Sequence, residues 1–322
     1  MVETVLSRAY GHYTNTPYMH ELGTLSEDEF RSAVLNYIME QDALATDTED
    51  EFNESLNEEI LDGLIFKSDL VYHMAAVVGV EHYVGDPYNV LNVNINGTQN
   101  VLKAAFKYNK KVVFASTSEV YGRNPNIPFS EDDDRVLGST KIDRWCYSTS
   151  KATGEHFCFA YHKIGLPVVV VRYFNVYGPR LDKIDVGRII TIFMGQILRN
   201  EPLTVIGNGM QTRCFTYIDD AIKATVAAGL LKEAEGEIFN IGNKKETTIK
   251  ELAEKMIEVS RVKNSIRHVT KEEVYGESYE DIQRRVPNTD RMKNILKVDA
   301  DTSLEDGLRI TIEWFKAIGN KY

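Results

Sequence analysis

Apolar runs that alternate with helical patterns constrain the fold of this chain more than any other feature of its sequence. Lys111–Ala115 and Pro167–Arg172 are short, apolar and rich in β-branched residues, which is typical of strands covered on both faces. Helical patterns separate such runs, and strand–helix–strand units of this kind predict parallel strands joined by crossovers. The sequence therefore predicts an α/β fold built on a doubly wound parallel sheet.

Composition limits the classes of function. The chain has 322 residues, enough for one large domain or two small ones, and 37 basic against 48 acidic side chains give a net charge of −11. That balance disfavours a nucleic-acid partner, which needs a basic surface. No apolar run approaches the roughly 18 residues of a membrane span. We therefore expect no nucleic acid and no membrane among the partners.

The cysteines indicate the compartment. Cys146, Cys158 and Cys214 are odd in number and lack metal-ligand spacing. Reduced thiols are typical of cytoplasmic proteins, and no basic stretch followed by an apolar one opens the chain. The sequence predicts a cytoplasmic protein without a metal site.

Tyr147 and Lys151 are the first candidate for chemistry. Residues i and i+4 lie on one face of a helix. A phenol has an unperturbed pKa of about 10, and a nearby ammonium favours its ionised form. We expect Lys151 to lower the pKa of Tyr147, so that the phenolate takes a proton from a substrate hydroxyl. The alternative interpretation is a surface helix with a solvated lysine.

Three motifs together resemble a known family. Ser116–Gly122 follows the first apolar run, at the strand end where open α/β sheets bind ligands. With Tyr147–Lys151 and Arg172–Arg180, it resembles the extended short-chain dehydrogenase/reductase family of nucleotide-sugar enzymes. The resemblance implies a Rossmann-like sheet, NAD as cofactor, a UDP-sugar substrate and a homodimer. In this family, helices around 93–108 and 148–164 commonly pair in the dimer.

The beginning of the chain departs from that family. Members start with a strand, a Gly-x-x-Gly-x-x-Gly turn that approaches the cofactor pyrophosphate, and a helix. No such turn exists here, since Gly11, Gly23 and Gly63 are isolated. Val2–Tyr13 is either the helix that follows a missing turn or an unrelated amphipathic helix. The missing turn predicts weak NAD binding.

The region that follows has its own predictions. Ser26–Gln41 has a capping box and an apolar stripe and is predicted to be helical. Thr46–Glu59 is strongly acidic and is predicted to be a solvated loop. For the whole chain, we expect a Rossmann-like cofactor domain over residues 1–174, atypical in 1–60. Residues 175–322 would form mainly a substrate-binding region, with 214–243 returning to the sheet. After Asn243, we expect only helix and loop.

The resemblance also implies site residues, carried over by motif. The catalytic residues are Thr117, Glu119, Tyr147, Lys151 and Arg285; the cofactor contacts are Ala75, Ala76, Ser116, Tyr147, Lys151 and Tyr173; the substrate contacts are Ser118, Asn175, Arg213, Tyr279 and Arg285.

The reaction is narrowed by neighbouring residues. Members of this branch oxidise the sugar at C4, with a base taking the proton of the 4-hydroxyl. The dTDP-glucose 4,6-dehydratases carry Thr-Asp-Glu where this chain has Thr117-Ser118-Glu119, and a serine is too weak an acid to expel water. Thr-Ser-Glu, Arg144-Trp145 and the block from Tyr275 to Asn288 resemble UDP-glucuronate decarboxylases. There, Arg285 would meet the sugar carboxylate and Glu119 would assist at C5.

Two alternatives stay open. One is a 4-epimerase of a UDP-hexose or UDP-uronate, in which Arg285 is a generic substrate or phosphate ligand. The other is a non-catalytic nucleotide-sugar-binding protein, because the glycine turn is absent.

Overall fold

The structure is a computed structural model that describes residues 35–37, 58–180, 184–185, 187–270, 273 and 282–318. The strands are β1 (Leu35–Tyr37), β2 (Leu70–His73), β3 (Lys111–Thr117), β4 (Val168–Tyr173), β5 (Val176–Tyr177), β6 (Leu203–Ile206), β7 (Thr212–Cys214), β8 (Thr216–Tyr217), β9 (Ile238–Ile241), β10 (Glu246–Thr248), β11 (Ile266–Val269) and β12 (Arg284–Arg285). The helices are α1 (Glu58–Phe66), α2 (Val80–Gly85), α3 (Pro87–Lys107), α4 (Arg144–Lys163), α5 (Ile189–Leu198), α6 (Ile218–Leu230), α7 (Ile249–Ser260) and α8 (Leu304–Ile318).

The main sheet has the strand order β1-β2-β3-β4-β9, and every pairing in it is parallel. Its strands are covered on both faces. Val112 and Phe114 pack with residues of α1, α3 and α4, whereas Val113 packs with residues of α6. Successive strand side chains point to opposite faces, so apolar residues at consecutive positions bury both. The predicted doubly wound α/β fold is confirmed.

Helix α4 lies unusually close to β3. A Cβ atom on Gly154 would fall 2.4 Å from Cζ of Phe114, so only glycine permits this approach. The contact fixes the height of α4 on the sheet. It thereby sets where Tyr147 and Lys151, earlier on the same helix, stand relative to the carboxyl end of β3.

A second, smaller region follows β4. It contains the three-stranded sheet β10-β7-β12 and the pair β11-β6. Its core joins α5, α7 and α8 through side chains that include Phe193, Leu252 and Phe315. Strand β12 matters for the site because it carries Arg285 and lies parallel to β7.

Several sequence predictions need correction. Leu35–Tyr37, inside the predicted helix Ser26–Gln41, is a strand that pairs with β2, because pairing to a free sheet edge outweighs helical periodicity. Glu58 and Glu59 begin α1 and do not belong to an acidic loop. The expectation of only helix and loop after Asn243 was wrong, since β10, β11 and β12 lie there. The rest of Ser26–Gln41 and of Thr46–Glu59, and all of Val2–Tyr13, lie outside the described residues.

Two further observations concern the described residues alone. No helix among them is both long and apolar enough to cross a bilayer. No group of His, Cys, Asp and Glu side chains within the same ranges is arranged to hold a metal ion.

Candidate active site

The site begins where β3 ends. The hydroxyl of Thr117 accepts a hydrogen bond from the backbone N–H of Glu119 at 3.2 Å and caps a short 3-10 turn, Ser118–Tyr121. Ser148 of α4 donates its hydroxyl to the carbonyl oxygen of Glu119 at 2.7 Å. The turn is therefore held at both ends, and Glu119 is brought beside the first turns of α4.

Tyr147 and Lys151 are both buried on α4, with 7% and 3% of their surface exposed. The ring of Tyr147 stacks on that of Tyr83, with centroids 6.1 Å apart. Its hydroxyl is hydrogen-bonded to Thr117. The alternative of a surface helix with a solvated lysine is thus wrong, and the structure brings Thr117 and Tyr147 together as predicted.

The predicted effect of Lys151 on Tyr147 is not observed. Burial and the carboxylate of Glu119 raise the pKa of Tyr147 above its ordinary value, against the lowering effects of Arg188 and of the Thr117 hydrogen bond. The Lys151 amine instead donates to the carbonyl oxygen of Ala115 at 2.7 Å, and burial lowers its own pKa to about 8. Spacing along a helix shows which residues share a face, but not which acceptor a long side chain reaches.

Glu119 lies between two guanidinium groups. Nη2 of Arg144 is 2.9 Å from Oε2 and 3.2 Å from Oε1, and Nη1 of Arg285 is 2.6 Å from Oε1. The side chains of Arg144 and Arg285 are only 1% and 8% exposed. Charge-assisted hydrogen bonds of this kind fix geometry as well as charge.

The charges around Glu119 are unbalanced. Burial raises the pKa of this carboxyl, but Arg144, Arg285 and Arg213 outweigh it and hold the pKa at about 2. Glu119 is therefore ionised at neutral pH. Because one carboxylate faces three guanidinium groups, the site suits an anionic ligand that supplies further negative charge.

A buried ion pair supports the floor of the site. Arg172 at the end of β4 donates to both carboxylate oxygens of Glu155, at 2.9 and 2.6 Å, and to the hydroxyl of Tyr121 at 2.8 Å. The hydroxyl of Ser116 also donates to Glu155. This network ties β3 and β4 to α4. It also engages the Ser116 hydroxyl within the protein, so any cofactor contact of Ser116 must use other atoms.

The remaining predicted contacts differ in how they are placed. Ala75 is buried and Ala76 half-buried directly after β2, and Ser118 is buried in the turn after β3. The hydroxyl of Tyr173 is hydrogen-bonded to Oγ1 of Thr225 at 2.7 Å, which gives it a packing role. Tyr279 lies outside the described residues.

Asn175 and Arg213 lie on the substrate side of the site. Asn175 has a φ of 42°, a left-handed conformation that is uncommon for a non-glycine residue. Its side-chain amide donates to the carbonyl oxygen of Cys214 at 3.3 Å. Arg213 precedes Cys214 on β7 and is 8% exposed. The amide of Asn175 therefore joins β7 to the chain that leaves β4.

The described residues fit the nicotinamide end of NAD. Lys151 has three N–H donors, and Ala115 supplies its one hydrogen-bond acceptor within the described part of the chain. A ribose hydroxyl could occupy a free donor, and the small side chains of Ala75 and Ala76 leave room beside it. The pyrophosphate end lacks a counterpart, because no Gly-x-x-Gly-x-x-Gly sequence occurs anywhere in the chain.

Sequence reasoning missed two cations. Arg144 was noted only as part of a resemblance, although it precedes Tyr147 by three residues, a spacing that places two side chains on one helix face. Arg188 precedes α5 and acts on the pKa of Tyr147. Nothing in its local sequence distinguishes it from a surface arginine.

Comparisons with known proteins agree with this geometry. A family model described as "NAD dependent epimerase/dehydratase family" matches residues 46–242. A UDP-N-acetyl-alpha-D-glucosaminuronate decarboxylase from Bacillus cytotoxicus is 42% identical over 80% of this chain and 79% of that protein. UDP-glucuronic acid decarboxylase 1 from Danio rerio is 33% identical over 81% of this chain, but the match spans only 60% of that longer protein.

Among solved structures, a UDP-glucuronic acid 4-epimerase from Bacillus cereus in complex with UDP-glucuronic acid and NAD superposes with a TM-score of 0.73. It is 32% identical, with 82% of this chain and 80% of that chain covered. A parallel sheet with a buried tyrosine and lysine at its carboxyl edge defines the same class of protein. The chain belongs to the NAD-dependent epimerase/dehydratase family.

Proposed function

We propose that this chain is an NAD-dependent decarboxylase of a UDP-linked uronic acid, either UDP-glucuronate or its 2-acetamido analogue. The observation that carries the proposal is Glu119 held between Arg144 and Arg285 next to Tyr147. The names of the Bacillus cytotoxicus and Danio rerio relatives support the reaction class. The excess of cations suits a substrate with a diphosphate and a carboxylate.

In the first step, Tyr147 takes the proton of the sugar 4-hydroxyl, and Thr117 hydrogen-bonds the same oxygen. NAD, when bound, accepts the hydride from C4. Lys151 and the backbone at Ala75 and Ala76 would hold its nicotinamide ribose. The hydrogen bond between Thr117 and Tyr147 already brings the two side chains together on the protein side.

In the second step, the carboxylate is β to the new ketone, so the bond from C5 to the carboxyl carbon can break. Its electron pair passes to the ketone oxygen, CO₂ leaves, and C5 then takes up a proton. Arg285 is suited to hold the carboxylate, since its Nε has no hydrogen-bond partner among the described residues although it is buried. Glu119, with a pKa of about 2, is a poor proton donor, so its assistance at C5 is electrostatic and works through Arg285.

A 4-epimerase is the second candidate, and the Bacillus cereus structure is the observation that favours it. The same guanidinium groups could bind a uronate that keeps its carboxylate. The two candidates differ only in the fate of the C5–carboxyl bond. A product assay therefore separates them.

The native protein with saturating NAD should convert UDP-glucuronate, its 2-acetamido analogue, or both into a product lighter by one CO₂. UDP-glucose, which has no carboxylate, is the control substrate. A product of unchanged mass and inverted C4 would contradict the decarboxylase in favour of the epimerase. No reaction on any of these substrates would favour a non-catalytic nucleotide-sugar-binding protein.

We also propose a homodimer, formed through α3 and α4. Apolar side chains are exposed there: Tyr88 and Phe106 on α3 are 76% and 42% exposed, and Ile164 after α4 is 63% exposed. Light scattering at micromolar concentration should give twice the chain mass of 36.6 kDa. Phe106→Glu should lower that mass toward the monomer. Leu230→Glu, at an apolar position of α6 that is 45% exposed, is the matched control. A monomeric native protein would contradict the proposal.

A further inference from the structure

Strand β12 delivers Arg285 to the site, although it is only two residues long. Successive side chains of a strand point to opposite faces. Accordingly, the side chain of Arg285 is 8% exposed and faces Glu119, whereas that of Arg284 is 55% exposed on the other face. The position of the Arg285 guanidinium therefore depends on the register and height of this short strand.

The backbone gives β12 few anchors. Arg284 lies opposite Thr212, and Arg285 lies opposite Arg213 of β7. The backbone N–H of Thr212 donates to the carbonyl oxygen of Gln283 at 2.9 Å, just before the strand. Just after it, the N–H of Phe129 donates to the carbonyl oxygen of Val286 at 2.8 Å. With so short a ladder, side-chain contacts contribute to holding the register.

One side-chain contact crosses the whole small sheet. Arg284 donates through Nε to Oε1 of Glu246 at 2.7 Å and through Nη2 to Oε2 at 2.9 Å. Glu246 begins β10, which pairs with the other edge of β7. The hydroxyl of Thr212, on the central strand between them, donates to the same carboxylate. Glu246 thus joins all three strands on the face opposite the active site, through a bidentate contact that is geometrically specific.

We propose that Glu246 is a positioning residue for Arg285: by holding Arg284 from outside, it fixes β12 where Arg285 meets the carboxylate of the substrate. The physical reason is that a slip of one residue would exchange the two faces of the strand and turn Arg285 outward. A smaller displacement would still spoil a parallel pair of hydrogen bonds to a carboxylate. The inference rests on the proposed function, because it assigns Arg285 to a uronate.

Binding measurements on two substrates that differ in the carboxylate test this role. All variants are made on Tyr147→Phe, so that UDP-glucuronate is bound but not consumed, and calorimetry gives the dissociation constants. Glu246→Gln and Arg284→Gln should each weaken UDP-glucuronate about fivefold, the size expected when a partly exposed ion pair is lost. Affinity for UDP-glucose should change less than about twofold, because that ligand does not use Arg285. A loss confined to the uronate is not what general destabilisation would produce.

Two further variants complete the design. Arg309→Gln is the matched control, since Arg309 is 52% exposed and pairs with Asp306 at 3.0 Å on α8. It should change neither affinity. In the double variant Glu246→Arg with Arg284→Glu, the exchanged charges should recover part of the lost UDP-glucuronate affinity. If Glu246→Gln does not fold, Arg284→Lys replaces it, since it keeps the charge but loses the fork.

The outcomes separate this inference from the proposed function. Equal weakening of both ligands, or no weakening of either, would overturn the positioning role of Glu246. If the parent Tyr147→Phe protein binds UDP-glucose as tightly as UDP-glucuronate, the uronate assignment itself fails. That result comes from the parent alone, so it does not depend on the β12 variants.

Discussion

A Tyr147→Phe variant is expected to lose turnover on its UDP-uronate by well over about 100-fold, while it binds the nucleotide sugar nearly as well as the native protein. The substitution removes one oxygen and keeps the ring. The stacking on Tyr83 and the burial of α4 therefore remain. What disappears is the group that takes the proton of the sugar 4-hydroxyl, next to the hydroxyl of Thr117. Product formation by mass and UDP-sugar binding by calorimetry measure the two quantities separately.

Tyr72→Phe is the matched control for this prediction. Tyr72 is a buried phenol on β2, and its hydroxyl donates to the carbonyl oxygen of Val226 at 3.3 Å, away from Glu119 and Thr117. Loss of that hydroxyl should leave turnover within a few-fold of native. Unchanged turnover in Tyr147→Phe would refute the assignment of Tyr147 as the base.

An Arg285→Lys variant is expected to slow CO₂ release by about 100-fold, and to slow the initial oxidation much less. Lysine keeps the positive charge but loses the two parallel hydrogen bonds of the guanidinium. The carboxylate would then no longer be held out of the plane of the ketone, where cleavage of its bond to C5 is electronically favoured. A 4-keto uronate should accumulate, and mass spectrometry of quenched reactions detects it before CO₂ is lost.

The control for Arg285→Lys is a second substrate. Oxidation of UDP-glucose at C4 by the same variant should be close to native, since this sugar has no carboxylate to hold. Equal slowing of oxidation and decarboxylation would assign Arg285 to general substrate or phosphate binding. That outcome would also weaken the case for a decarboxylase over a 4-epimerase.

The parts of the fold that sequence patterns predicted share a physical basis. Strands β3 and β4 are continuous apolar runs, because a strand buried on both faces has no polar position. Strands β10 and β12 escaped notice because Glu-Thr-Thr and Arg-Arg have no apolar pattern, and their pairing depends on a neighbour distant in sequence. Strand β1 was predicted as helix because its apolar residues also fit a helical stripe.

The sequence alone determined the parallel α/β sheet, the helix that carries Tyr147 and Lys151, and the family to which they point, since these depend on local periodicity and short motifs. Only the tertiary structure decided the electrostatics of the site. Glu119, Arg144 and Arg285 come from a turn after β3, from α4 and from β12, and no spacing along the chain relates them. The pKa of Tyr147 likewise follows from burial and from Glu119, which become neighbours of the phenol only when the sheet and helices pack. Charge interactions depend on distance and desolvation in space, so the sequence supplied the groups and the packing decided what each one does.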